Sequence, residues 1–318
     1  MALGLCCQWL DPQRKRDGTT VWNNTVGERA LRLGAWKEGK YSEERVLQTY
    51  EENVSSHVSF FKKLSKTGIK SFRLSSEVLP LFDYAGHLAK NSPKVMQGFS
   101  EMGRIAMENG IRITCHPGQF CILNSDRDEV IKNAVNELQY HAWMFDAMKL
   151  PQTPQYAINI HGGKRGAPER LTETILSLPH NVKSRLTLEN DETCYSVKDL
   201  LSIHEKTDTP IVWDSHHHTF NEGGLTSKEA CMLSAETWKV SGSKPLQHLS
   251  NSGPDSIDGS FQDRRKHSWW IHYIPSHQRQ AIIDDWADVD IEAKGKNLAL
   301  FRLAKELNIS MPGSTIDV

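Results

Sequence analysis

Eight short apolar runs of four to six residues recur along the chain, and they alternate with seven longer stretches of helical periodicity. The runs are Ala2–Cys7, Ile69–Leu74, Ile111–Cys115, Tyr156–Ile160, Arg185–Leu188, Pro210–Trp213, Leu246–Leu249 and Val289–Ala293. The helical stretches are Ser42–Lys66, Pro93–Asn109, Asp128–Lys149, Pro168–Leu178, Ser196–Lys206, Ser227–Val240 and Lys296–Leu307. Short buried runs separated by amphipathic helices predict parallel strands with helical crossovers. Eight such units predict closure into a (β/α)8 TIM barrel. An open, doubly wound sheet would need a glycine-rich phosphate loop after its first strand. This chain has Cys6, Cys7, Gln8 and Trp9 there.

Helix starts carry capping signals. Ser42 precedes Glu44, Ser227 precedes Glu229, and Ser196 stands three residues before Asp199 in capping-box spacing. Gly68 is the expected glycine after the first long helix. The polar stretch Asn251–Tyr273, with its paired Trp269 and Trp270, predicts a functional loop rather than a linker. No repeat or low-complexity segment divides the chain, so residues 1–318 are expected to form one barrel domain.

Composition narrows the function. Lys+Arg is 38 and Asp+Glu 39, a formal net charge of −1, which excludes a uniformly basic nucleic-acid coat but not a local basic cleft. No apolar run is long enough to cross a membrane. The six cysteines include no CxxC pair, which argues against a thiolate zinc site or a disulfide framework and fits a cytoplasmic protein.

Acids and imidazoles mark the ends of the runs. His116 follows the third, His161 the fourth, Glu189 the fifth and Asp214 the sixth, with His216, His217 and His218 behind it; His248 and Glu292 lie in the seventh and eighth. Parallel barrel strands end on one face, and there barrel enzymes build their active sites. Neutral imidazoles and carboxylates suit zinc, manganese or iron, with magnesium an alternative, and the absence of cysteine among these residues argues against a soft-metal site. These ligands exceed the needs of one ion, so a carboxylate bridging two or three ions is expected, an arrangement suited to phosphoryl displacement. Alternate side chains of His216–His218 point differently, so one ligand is expected among them.

With these residues in place, the chain resembles the UV damage endonucleases of the xylose-isomerase-like barrel group, which also contains endonuclease IV. The resemblance rests on FRLSSEVLPL (72–81), ITCHPGQFCILNS (113–125), INIHGG (158–163), LTLENDE (186–192), IVWDSHHH (211–218), QHLSNS (247–252), KHSWWI (266–271) and EAKGK (292–296). It implies a metal-dependent repair nuclease, usually with manganese, that nicks duplex DNA immediately 5′ of UV photoproducts and leaves 3′-hydroxyl and 5′-phosphate ends. It implies one ion on His116 and His161, a second on Asp214, His248 and Glu292, with Glu189 bridging, and a third on His217 and His267. Glu189, Asp214 and Glu292 would then carry catalysis. Gln119 and Phe120 match the family's lesion-probing pair, with Phe in place of its usual Tyr. Trp9 is expected to replace a stacking platform on the first strand, and Asn124 to sit among the DNA contacts.

The sequence also departs from the family. Leu246 stands where the family often has a ligand lysine, and Arg265 where endonuclease IV has an aspartate. Basic residues beside the expected ligands, Lys164, Arg165, Arg264, Arg265 and Lys294, are candidate phosphate contacts. The partner implied is duplex DNA carrying UV lesions, bound by a monomer. The alternatives are an apurinic endonuclease of endonuclease IV type, a sugar isomerase on the same barrel and a non-catalytic DNA-binding module. Buried carboxylates without a metal would be costly, which weighs against the last.

Overall fold

The apolar runs become the staves of a closed parallel barrel in a computed structural model that describes residues 3–312 apart from 16 and 18. The strands are β1 (Leu3–Cys6), β2 (Leu10–Arg14), β3 (Thr20–Asn24), β4 (Ser71–Leu74), β5 (Arg112–Cys115), β6 (Ile158–His161), β7 (Leu186–Glu189), β8 (Ile211–Asp214), β9 (Leu246–Leu249) and β10 (Asp288–Ile291). β1 and β4 to β10 form the barrel in chain order, and β10 closes it against β1. β2 and β3 form a separate antiparallel hairpin on the loop after β1. The expected first strand begins at Leu3, and Ala2 lies outside the described residues.

The expected helices form with boundary shifts of a few residues, and Ser227–Val240 divides into a helix ending at Glu236 and a 3-10 turn over Thr237–Val240. Two further helices of eight or more residues, Phe82–Asn91 and Ser276–Ile283, are present among the described residues. Ser42 caps its helix, and Ser196 with Asp199 forms the capping box. The cap expected at Ser227 belongs instead to Thr226, whose hydroxyl and backbone amide both meet Glu229. Gly68 does take a left-handed conformation (φ +84°), but three residues beyond the helix C-cap Ser65. No helix among the described residues is long and apolar enough to cross a membrane.

The barrel lumen is polar, and this determines where the chemistry sits. Alternate residues of each strand face inward. Ser71 and Thr114 donate to the buried carboxylate of Asp290 at 2.7 and 3.3 Å. A methyl group at Gly4 would overlap that same carboxylate, so glycine is required there. One layer higher, Thr187 donates to Asn159 Oδ1 at 2.9 Å, and the Asn159 amide donates to Glu189. The Thr187–Asn159–Glu189 chain therefore leads to the C-terminal mouth.

Outside the lumen, on the helix Asp128–Ala147, burial and the nearby carboxylates of Asp83 and Glu77 push the Glu137 carboxyl up to about 7. A raised acid destabilises the fold above its folded value and costs nothing below its unfolded one. Glu137→Gln is therefore expected to stabilise the protein at about pH 8 and to do nothing at about pH 4. The side chain is 35% exposed, so the gain is about 1–2 kcal/mol after allowance for screening. Thermal melts at the two pH values check it, and equal shifts at both would refute the assignment.

Candidate metal centre

Strands β5 to β10 each deliver a residue in or just past the strand to the mouth. The register pairs His161 with Glu189 across β6 and β7, Asp214 with His248 across β8 and β9, and His248 with Asp290 across β9 and β10. His116 and Glu292 stand one residue past the ends of β5 and β10. Three groups result whose donor atoms lie within 4.8 Å of one another: His116, His161 and Glu189; Glu189, Asp214 and His217; Asp214, His248 and Glu292. Glu189 belongs to the first two and Asp214 to the last two, so the groups form one continuous chain of ligands.

Some donor atoms of these groups are engaged within the protein and others are open. His116 Nδ1 donates to the Pro117 carbonyl at 3.1 Å, and Nε2 lies 2.9 Å from Glu189 Oε2. Glu189 Oε1 lies 3.0 Å from His248 Nδ1 and 3.3 Å from His217 Nδ1. Asp214 Oδ1 accepts from the backbone amides of His216 and His217, both at 2.7 Å, and so caps the short helix Ser215–His218. Asp214 Oδ2 has no hydrogen-bond partner, and neither has His161 Nδ1. Buried polar atoms are almost always partnered. Oxygen and nitrogen donors left open inside carboxylate–imidazole groups fit divalent ions, so the residues present could hold them.

The imidazoles of the centre offset the cost of burying Glu189. Burial alone would raise the Glu189 carboxyl, but His248, His161 and His116 outweigh it and hold Glu189 well below its ordinary value. Burial would lower His217, but Asp214 and Glu189 raise it well above the usual imidazole value. Asn190 fixes the geometry from behind. Its side chain accepts from the Asp214 amide at 2.9 Å and donates to the Asp214 carbonyl at 3.0 Å, clamping the end of β8 to the loop after β7.

The remaining expected residues are distributed as follows. His217 joins Glu189 and Asp214, and its Nε2 faces Glu192 at 3.7 Å. His267 lies on the far side, with Nε2 3.7 Å from Glu292 Oε2 and its ring 5.9 Å from that of His216, and no three-ligand group among the described residues includes it. Leu246 is buried against Ala157, Val212 and Trp238. Gln119 is exposed and Phe120 is 83% exposed on the loop after His116. Lys164 pairs with Asp126 at 3.0 Å, Arg165 reaches the Thr193 carbonyl, and Arg264 lies over the Phe220 ring. Arg265 is tied to Glu192 at 2.7 Å, while Lys294 is exposed with no ion-pair partner among the described residues.

Two expectations need correction. Trp9 is no stacking platform. It is 3% exposed, wedged edge-on between Phe60 and Phe301, with Lys63 over its ring. Asn124 is fully buried and is no DNA contact. Its amide donates to the Lys164 carbonyl at 2.7 Å and the Tyr195 hydroxyl at 2.8 Å, and its oxygen accepts from Lys164 N at 2.7 Å. Asn124→Ala leaves these partners stranded and is expected to cost about 2–3 kcal/mol of stability. Chemical denaturation checks this; an unchanged midpoint would return Asn124 to a surface role.

Three residues that the sequence reading passed over belong to the site. Asn159 and Thr187 support Glu189 from below. Arg73 enters the lumen from β4, 8% exposed, with Nη2 2.8 Å from His248 Nε2 and Nη1 paired with Glu292. A charged residue inside an apolar strand run was the signal for Arg73.

Comparison with known proteins agrees with this geometry. The family described as UV-endonuclease UvdE matches residues 19–315. A UV DNA damage endonuclease of Deinococcus radiodurans is 35% identical over 272 residues, 82% of this chain and 84% of that protein. One of Nostoc sp. is 35% identical over 245 residues, 75% of this chain and 72% of that protein. The crystal structure of SacUVDE superposes with a TM-score of 0.78 at 27% identity, covering 98% of this chain and all of that one. Endonuclease IV from Thermus thermophilus shares the fold, with a TM-score of 0.54 at 15% identity over 80% of this chain and 94% of that one. Together with the strand-end ligands, these matches place the chain in the UV-endonuclease UvdE family.

Proposed function

We propose that this protein is a UV DNA damage endonuclease that hydrolyses the phosphodiester immediately 5′ of UV photoproducts, leaving 3′-hydroxyl and 5′-phosphate ends, with manganese as its metal. The observation that carries the reading is the unbroken chain of ligands from His116 to Glu292, joined through Glu189 and Asp214, at the open mouth of the barrel. Divalent ions held there would supply positive charge to the attacking and leaving oxygens of the phosphodiester. The chain's own part is to fix the ligands. Asn190 locks the Asp214 backbone, and Asn159, held by Thr187, orients the Glu189 carboxylate. No side chain has to act as a nucleophile.

Lesion selection falls to the loop after His116. Phe120 stands out from the surface, and an exposed ring beside the mouth suits wedging into a kinked base step. Stacking on one base contributes about 1–3 kcal/mol. Phe120→Ala is therefore expected to lower selection of damaged over undamaged duplex by about tenfold, with bound manganese unchanged. Loss of metal in parallel would sink the role. Lys294 and the other basic residues of the rim suit phosphate contact.

The test is a nicking assay on a duplex with one defined cyclobutane dimer, with manganese and then with chelator. A metal-dependent cut immediately 5′ of the dimer supports the reading. A cut only at an abasic site in a parallel duplex would reassign the substrate to that of an apurinic endonuclease.

A further inference from the structure

The hairpin β2–β3 is absent from the strand–helix alternation of the barrel and takes no part in the metal centre. It leaves the C-terminal end of β1, on the face that carries the ligands. Its base is locked. Leu10 N donates to Asn297 Oδ1 at 2.6 Å, and Asn297 Nδ2 donates back to the Leu10 carbonyl at 3.0 Å. Asn297 is fully buried and lies five residues beyond Glu292. Trp9 anchors the same base, donating from Nε1 to Asp11 at 2.8 Å, and Asp11 is in turn held by Lys63 and Thr25. The arm is thus rigidly tied to the segment that supplies a ligand.

Its outer half is different. Pro12, Gln13, Arg14 and Lys15 are exposed, and Arg14 and Lys15 have no ion-pair partner among the described residues. The two acids of the hairpin are both engaged, Asp11 as above and Asp17 by the amide and hydroxyl of Thr19. Arg14 and Lys15 therefore stand unpaired among the described residues near the tip, where the one carboxylate, Asp17, is held by Thr19, and net positive charge remains. A five-residue strand extends about 17 Å, roughly five base-pair steps of duplex.

We propose that the β2–β3 hairpin is a duplex-binding arm, with Arg14 and Lys15 on the phosphate backbone of DNA flanking the lesion. The proposal rests on the DNA substrate proposed above and assigns it a second contact zone. Phosphate contacts carry no information about lesion or sequence. The arm therefore adds affinity for any duplex and leaves discrimination to the loop after His116.

The experiment measures binding of the manganese-loaded protein to an undamaged duplex over a series of salt concentrations, for wild type and for the double substitution Arg14→Gln/Lys15→Gln. Each phosphate contact contributes about 0.9 to the slope of log K against log salt. The expected result is a slope shallower by about 2 and affinity at low salt at least tenfold weaker, with melting temperature and bound manganese unchanged. The ratio of damaged to undamaged binding stays the same. An unaltered slope in the variant, with wild type still incising dimers, overturns the arm alone. A wild type without salt-dependent affinity for duplex overturns both the arm and the substrate it rests on.

Discussion

Glu189→Gln is expected to reduce incision of a dimer-containing duplex by at least about 10³-fold while the barrel remains folded. The reason lies in how the two carboxylate oxygens are used. Oε2 accepts from the Asn159 amide and faces His116 Nε2; Oε1 faces His248 and His217. Glutamine is isosteric, but only one of its two terminal atoms can accept. Asn159 supplies a donor, and its own oxygen is committed to Thr187, so it cannot turn over. The glutamine oxygen must therefore take the Oε2 position, and its NH2 group points at the imidazoles where the second oxygen had been. Charge and ligand are both lost on the side shared with Asp214 and His217. Several kcal/mol of charge stabilisation then disappear from the transition state, which is about a thousandfold in rate. Elemental analysis provides the independent readout: bound manganese should fall by about one ion per chain, with the His116–His161 side retained. Near-wild-type incision with full metal content would remove Glu189 from the centre.

The mouth was legible because a barrel turns a one-dimensional regularity into a place. Once the eight runs are read as parallel strands, the residue at the end of each has only one face to occupy. His116, His161, Glu189, Asp214, His248 and Glu292 then meet on that face. Trp9 and Asn124 failed for a common reason. Both stand beside strand ends, but each is claimed by residues far away in sequence, Trp9 by Phe60 and Phe301 and Asn124 by Lys164 and Tyr195. Proximity to the mouth does not say which way a side chain turns. The β2–β3 hairpin left no apolar alternation, because its outer residues bury nothing and Pro12 sits within a strand. The cap at Thr226 was missed by one residue, since Thr and Ser stand side by side and only the register with Glu229 decides between them.

Arg73 is the residue whose loss should cost the fold most, and by an amount that depends on metal. Its guanidinium is committed inside the lumen: Nη1 to Glu292, Nη2 to His248 at 2.8 Å, and Nε 3.8 Å from Asp290 Oδ2. Burial would weaken the charge, but the surrounding acids hold it firmly protonated. Arginine has no acceptor, so His248 Nε2 must accept from it. Arg73 therefore neutralises the same Glu292 and leans on the same imidazole that the Asp214–His248–Glu292 group offers to an ion. Arg73→Met leaves Asp290 and Glu292 buried without a cation, a break that typically costs about 3–5 kcal/mol. A divalent ion bound to that group replaces part of the missing charge, and ligand binding to the native state adds stability by mass action. The melting temperature of Arg73→Met should accordingly fall by on the order of 10 °C in chelator and by clearly less in saturating manganese. Arg73→Lys, which keeps the charge and loses the fork, should lie between the variant and wild type. If the deficit of Arg73→Met is the same with and without manganese, Arg73 and the ion share no ligand, and the cation belongs to the Asp290 layer of the lumen alone.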